Sequence, residues 1–164
     1  MCEVGANEPG TRQHFFVCSE NALRSLMAKA MVKATFGDRV YVDSIGVCDS
    51  ELDPIAVAVM AQIGIEISGL QPKRLDDFFD SNIDAIVTLS PEAHHQALDR
   101  MRNEAVQVVF WEINDPSVVD GNRYVRLAAY RDVRDLLKKN KSKNCSMSLM
   151  TRLDRGFIDL SDMN

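Results

Sequence analysis

A cysteine and an arginine stand six positions apart in the segment Cys18-Ser-Glu-Asn-Ala-Leu-Arg24-Ser25. A thiolate is a strong nucleophile, and a guanidinium can hold two oxygens of a tetrahedral oxyanion in its planar fork. The spacing alone is weak, because a shuffled chain of this composition contains it roughly 0.3 times. Its position raises its value: an apolar, strand-like run from His14 ends at Cys18, and a helical pattern opens within the segment. A loop that leaves the carboxyl end of a parallel strand and starts a helix aims backbone N–H groups at one spot, where the helix dipole favours an anion. A thiol placed there loses its proton easily. On this reading Cys18 attacks phosphorus, and the N–H groups of Ser19, Glu20, Asn21, Ala22, Leu23 and Arg24 hold the equatorial oxygens. Arg24 clamps two of them, and Ser25 donates a hydrogen bond that keeps the thiolate charged. The plainer alternative is a small buried cysteine that ends a strand, with Arg24 exposed on a helix.

Other chemistry-bearing residues carry less. His94 and His95 are adjacent on an expected helix, so they face different directions, unlike the i, i+4 pairs that bind metal, and a surface role is expected. His14 reads as structural, Trp111 as core and Cys145 as incidental. No metal site and no cofactor are expected. Neither G-x-x-x-x-G-K-[ST] nor G-x-G-x-x-G occurs, which removes the usual nucleotide loops. Nineteen Lys and Arg against 24 Asp and Glu leave a formal charge of −5, which argues against nucleic acid as a partner. The longest apolar run, Ile55 to Ala61, is too short to span a bilayer, and the start MCEVGANEPG has neither a basic region nor an apolar segment. A soluble cytoplasmic protein without a membrane partner is expected. Its four cysteines have no C-x-x-C spacing, which favours reduced thiols over a disulfide framework.

The elements that must position Cys18 and Arg24 follow from the pattern of the chain, whose 164 residues suit one domain. Short apolar runs rich in β-branched and aromatic residues alternate with stretches of helical period, the order of parallel strands joined by helical crossovers. Strands are predicted at His14–Cys18, Val40–Ile45, Asp84–Leu89 and Val106–Trp111, all covered on both faces. A first helix over Ala22–Thr35 has Leu23, Met27, Ala30 or Met31, and Ala34 on one face, with Lys29 and Lys33 facing away, and Gly37 ends it. Pro54 opens a second helix that stops at Gly64. Residues 68–80 form a polar connection with room for one helical turn. Ser90 caps a third helix that begins at Pro91 and reaches Asn103. The last helix, Asn122–Asn140, has Leu127, Tyr130, Val133 and Leu137 on one stripe and a solvated face of Arg and Lys. Residues 1–13 read as a loose leader and 14–140 as the α/β domain. Residues 141–164 read as an extension, in which Leu149, Leu153, Phe157 and Leu160 are able to dock on the body.

With these segments in place the chain resembles the low-molecular-weight protein tyrosine phosphatases and the arsenate reductases that share their fold. VCSENALRS followed by Met27-Ala28 is similar to their phosphate loop, and DSIG at 43–46 to the segment closing their second strand. DPIAVAVMAQIGIEISGLQPKRL at 53–75 resembles the helix and turn that follow, and WEINDPS at 111–117 the Asp-Pro loop after the fourth strand. The likeness runs over residues 14–138. It implies a three-layer α/β fold: a four-stranded parallel sheet in the flavodoxin-like order 2-1-3-4, with helices on both faces and the active site at the carboxyl edge where strand order reverses. It also implies Cys18 as nucleophile, Arg24 as clamp, Asn21 and Ser25 as loop-shaping and thiolate-stabilising residues, Ser44 as a support for Asn21, and Asp115 as the general acid. Asp115 would follow the fourth strand at that edge with its backbone restricted by Pro116. Asp120 is its competitor, next to the turn residue Gly121.

Four departures bear on function. Glu20 stands where these families usually have Gly, and Leu23 replaces a second loop cysteine. Ser117 and Val118 stand where phosphotyrosine-specific members carry tyrosines, and TLSPEAHH at 88–95 lacks the cysteines of thioredoxin-coupled arsenate reductases. The leading expectation is a phosphatase that cleaves phosphate monoesters, phosphoproteins among them, through a cysteinyl-phosphate. An arsenate reductase that uses a low-molecular-weight thiol, and a non-catalytic oxyanion-binding or regulatory relative, are the alternatives. Cys48, a few residues beyond the second strand, should share an edge with Cys18 and is a redox candidate.

Overall fold

The computed structural model of the chain describes residues 13–20, 23–37, 41–48, 50–77 and 83–145, without the side chains of Glu20, Asp77 and residues 142–145. In chain order these form β1 (Gln13–Glu20), α1 (Arg24–Phe36), β2 (Tyr41–Cys48), α2 (Pro54–Ala61), a 3₁₀ turn (Leu75–Asp77), β3 (Ala85–Thr88), α3 (Pro91–Arg100), β4 (Gln107–Phe110), a second 3₁₀ turn (Pro116–Val118) and α4 (Arg123–Cys145). The strands make one parallel sheet in the order β2-β1-β3-β4. Cys18 lies opposite Gly46, and Glu20 opposite Cys48. The long β1 sits in the middle, so its carboxyl end, where the candidate nucleophile stands, is flanked on both sides.

Strand alternation sorts the core into two layers. Phe16, Cys18 and Val42 face the helices α1, α2 and α4, where they meet Met27, Val59 and Tyr130. Phe15, Val17 and Ile45 face the other way, onto Leu75 and the small residues Ala93 and Ala97 of α3. Burying large side chains such as Phe16, Leu26 and Tyr130 contributes about 1.5 to 3 kcal/mol apiece. Gly37, at a φ of 59°, closes α1 in the left-handed region, and its N–H bonds the Lys33 carbonyl. Asp53 and Ser90 cap α2 and α3 by accepting from Ile55 N and Ala93 N, and a proline follows each cap. A short parallel bridge between Gly46 and Arg74, with Gly46 N donating to the Lys73 carbonyl at 2.7 Å, covers the outer edge of β2.

Several expectations are corrected. Lys29 turns inward and bonds the buried Asp43 at 2.9 Å, because β2 is an edge strand and a long side chain from α1 can reach around it. Ala34 is exposed, while Leu26, Ala28 and Val32 are buried: α1 is apolar over more than one stripe. β4 is also an edge strand and is not covered on both faces, since Gln107 and Phe110 are exposed. His94 is half-buried, stacked on Phe110 with ring centroids 5.0 Å apart and 2.9 Å from Thr88 Oγ1. Thr88 Oγ1 also lies 3.2 Å from the Val109 carbonyl. The basic face of α4 is not all solvated, because Arg134 donates to the Val59 carbonyl at 3.0 Å. The connection at 68–80 does hold one helical turn, Leu75–Asp77. Trp111 is buried against Phe16. α4 continues five residues beyond Asn140, to Cys145. The leader through Arg12 and the docking residues Leu149, Leu153, Phe157 and Leu160 lie outside the described residues.

Candidate active site

The site is assembled where the sheet hydrogen bonding runs past the strand ends. Leu89 N donates to the Val17 carbonyl at 2.8 Å, and Trp111 N to the Thr88 carbonyl at 2.9 Å. These bonds hold the segments after β3 and β4 beside the end of β1. They bring Ser90 next to Ser19 and Ile113 next to Arg24.

Cys18 is fully buried, and its Sγ is 3.0 Å from Ser25 Oγ. When Cys18 is a thiolate, Ser25 must be the donor in that pair, which stabilises the charged form. Ser25 is in the first turn of α1, whose N-cap is Leu23, a residue with no side-chain acceptor for the first N–H groups. The other helices that begin near the sheet edge, α2 and α3, spend a carboxylate or hydroxyl on that task. At α1 the N-cap side chain makes no such bond.

Arg24 opens α1 and is buried. Its Nη1 donates to the Ile113 carbonyl at 2.8 Å, and its Nη2 lies 3.7 Å from Asp115 Oδ2. The carbonyl fixes one arm of the fork and leaves the other, loosely paired, toward the site. Asp115 divides its two oxygens in the same manner. Oδ1 accepts from Ser117 N at 2.9 Å and Ser117 Oγ at 2.6 Å, and Oδ2 faces Arg24. Pro116 and the Ser117 bonds therefore orient the carboxyl with one oxygen available for proton transfer.

Ser19 points to the opposite wall. Its hydroxyl donates toward Ser90 Oγ at 2.9 Å and Glu92 Oε2 at 3.1 Å. Glu92 is exposed in the first turn of α3, and its carboxyl is held below the ordinary range by its own backbone N–H, then by Ser19, with Arg24 adding a smaller attraction. A third carboxylate stands farther out: Asp53 Oδ2 accepts from Tyr130 Oη at 2.6 Å. Burial, this bond and the charge of Asp53 raise the Tyr130 pKa, and Asp115 adds to the effect.

Of the residues singled out from sequence, Cys18 meets Ser25 and Arg24 meets Asp115, while Ser19 pairs with Ser90 and Glu92. Leu23 is buried as the N-cap of α1. Ser44 is buried opposite Phe16, but Asn21, which it is expected to support, lies outside the described residues, as do Ala22 and the Glu20 side chain. Cys48 is exposed at the end of β2. Asp120, the competitor for the acid role, is exposed and two residues past the turn that holds Asp115. Sequence reasoning missed Glu92 and the Ile113 carbonyl. Ser90 was legible only as a helix cap, and a carbonyl carries no residue signature at all. Among the described residues no group of three or more His, Cys, Asp or Glu side chains is arranged to hold a metal ion, and no helix is long and apolar enough to cross a membrane.

A family model described as low molecular weight phosphotyrosine protein phosphatase matches residues 14–155. The arsenate reductase of Bacillus subtilis (strain 168) is 32% identical over 121 residues, which cover 74% of this chain and 86% of that protein. Among solved structures, an arsenate reductase in the phosphate-binding state superposes with a TM-score of 0.63 at 26% identity, covering 82% of this chain and 96% of that one. The Erwinia amylovora tyrosine phosphatase amsI shares the fold with a TM-score of 0.66 at 17% identity, over 81% and 90% of the two chains.

Proposed function

Because the chain belongs to the low molecular weight phosphotyrosine protein phosphatase family, we propose that it hydrolyses phosphate monoesters through a cysteinyl-phosphate. The observation that carries this reading is the pairing of Cys18 Sγ with Ser25 Oγ at 3.0 Å in the first turn of the helix that Arg24 opens, with Asp115 Oδ2 3.7 Å from the Arg24 guanidinium. The Cys18 thiolate attacks phosphorus while α1 N–H groups and Arg24 take up the charge on the equatorial oxygens. The bond to the ester oxygen breaks, and Asp115 gives that oxygen its proton. Water then attacks the phosphocysteine, Asp115 takes the proton back, and the thiolate leaves. Proton donation of this kind contributes about 10² to 10⁴-fold, or about 3 to 5 kcal/mol. Phosphoproteins are within the substrate class, and the setting we propose is the cytoplasm.

A second reading, arsenate reduction, is favoured by the activity for which the Bacillus subtilis relative is named. Arsenate has the shape and charge of phosphate. Cys18 would displace one arsenic-bound oxygen as water, and a second thiol would attack Cys18 Sγ. The S–As electron pair then passes to arsenic, giving arsenite and a disulfide.

The test is turnover of a small aryl phosphate, with arsenate and a low-molecular-weight thiol run in parallel. Cys18→Ser should abolish both activities. Asp115→Asn should lose most activity on esters with poor leaving groups and little on good ones. Equal losses across the leaving-group series, or a larger effect of Asp120→Asn, would show the acid to be misassigned. Oxyanion binding without turnover of either substrate would leave a regulatory relative.

A further inference from the structure

We propose that Cys48 is the resolving thiol of Cys18, the group that attacks its sulfur and closes an intramolecular disulfide once that sulfur carries a leaving group. The inference rests on Cys18 being the nucleophile, and it names where the second thiol comes from.

The parallel register places it. Cys18 lies opposite Gly46, and two residues on Glu20 lies opposite Cys48, so both cysteines belong to the even-numbered positions of neighbouring strands. That set includes Phe16 and Val42, which pack with Cys18 on the same face of the sheet, whereas Val47 packs on the other. Strands about 4.8 Å apart with an offset of two residues, about 6.6 Å, put the two Cα atoms roughly 8 Å apart. A disulfide needs at most about 7 Å, so the strand ends must close by about 1 to 2 Å. Cys48 is the last residue of β2, and Cys18 stands two residues before Glu20, the last of β1, so the closure displaces only the final Glu20–Cys48 pairing of the ladder.

Burial gives the pair a division of labour. Cys18 is fully enclosed, and Cys48 is exposed. A disulfide between them carries the oxidised state of the enclosed sulfur to a place an external thiol can reach. That thiol attacks Cys48 Sγ, and Cys18 departs as a thiolate to which the Ser25 hydroxyl at 3.0 Å can donate, which makes it the better leaving group.

Two electrophiles lead to the same step. With a hydroperoxide, Cys18 becomes a sulfenic acid as the O–O bond breaks and water or alcohol leaves; Cys48 thiolate then displaces hydroxide, which is protonated to water. With arsenate, Cys48 displaces arsenite from the Cys18–arsenic adduct, arsenic gaining the two electrons that the thiols lose.

The experiment treats the reduced full-length chain with one equivalent of hydrogen peroxide, or with arsenate and no external thiol, and maps the unreduced peptides with dimedone present as a sulfenic acid trap. Cys48→Ser is compared with Cys145→Ser. The wild type and Cys145→Ser should yield a Cys18–Cys48 linked peptide and recover activity on adding dithiothreitol. Cys48→Ser should instead yield the dimedone adduct of Cys18 and lose that recovery. A disulfide and arsenite in the arsenate arm support the step in both chemistries; a disulfide with peroxide alone supports it and removes the arsenate reading. Equal dimedone trapping in wild type and Cys48→Ser, or linkage of Cys18 to Cys2 or Cys145, overturns the proposal. If Cys18 resists both peroxide and iodoacetamide, the nucleophile assignment itself fails.

Discussion

Two carboxylates, Asp43 on β2 and Asp115 after β4, both meet cations from α1, and they do so in opposite ways. Asp43 is nearly enclosed and is gripped by Lys29 at 2.9 Å and Lys73 at 2.6 Å, with Ser44 N bonding Oδ1 at 2.8 Å. Burial is the largest single influence on its pKa and pushes it up. The bonds and charges of Lys73 and Lys29, with the Ser44 N–H, outweigh that and hold the carboxyl below its ordinary range. Asp115 is about one-third exposed, and the nearest guanidinium atom is 3.7 Å away. Its tight bonds go to its own turn, and those of Arg24 to a neutral carbonyl. A cation committed to a close carboxylate is structural. One anchored by a carbonyl beside a loosely placed carboxylate keeps its charge for a substrate oxyanion.

The largest expected effect sharpens this contrast from the site. Arg24→Lys should lower kcat/KM on an aryl phosphate by about 10² to 10³-fold, because an ammonium cannot hold the Ile113 carbonyl and grip an anion in one plane. Its melting temperature should stay near that of the wild type. A variant that unfolds instead would place Arg24 with Asp43 as a structural ion.

The same contrast runs the other way at β2. Asp43→Asn leaves Lys29 poorly matched under the sheet edge and should cost about 3 kcal/mol of stability in a urea titration, with the aryl phosphate kinetics of the folded fraction unchanged. Because the folded pKa of Asp43 is depressed, its stabilisation is complete above the unfolded value of about 3.9 and is lost as pH falls through the lower, folded value. The wild type should therefore lose part of its advantage over Asp43→Asn below about pH 4. A gap between the two proteins that stays constant across that range would mean Asp43 contributes by packing alone.

Smallest is Glu92→Gln. The carboxylate is exposed and screened, so relieving its repulsion of an anion held by Ser19 and Arg24 should improve KM for a dianionic substrate by less than about threefold. Salt should erase the difference; a large or salt-insensitive change would make Glu92 part of the binding machinery.

Legibility followed how local each signal is. Cys18, Arg24 and Ser25 were readable because one loop and one helix start hold all three. Asp115 was singled out by resemblance to an Asp-Pro loop after the fourth strand, and the structure places it in the turn that begins at Pro116. Lys29 was misread because helical period assigns a lysine to solvent, and the reason it turns inward, an acidic residue on a neighbouring edge strand, appears only when α1 and β2 are packed. The link from Ser19 to Glu92 joins residues 73 positions apart and depends on β1 and β3 being neighbours. The strand order itself came from resemblance, since periodicity identifies strands without ranking them.

The bond from Arg24 to the Ile113 carbonyl spans 89 residues of chain. Cys18, Ser25 and the start of α1 are all made by residue 25, whereas Ile113, which anchors the guanidinium, and Asp115 lie beyond residue 112. At about 5 to 20 residues per second a ribosome needs roughly 5 to 20 s to make that stretch. During synthesis Cys18 and Ser25 therefore exist before Asp115, and the proposed site is complete only when the second half of the chain has closed onto the first.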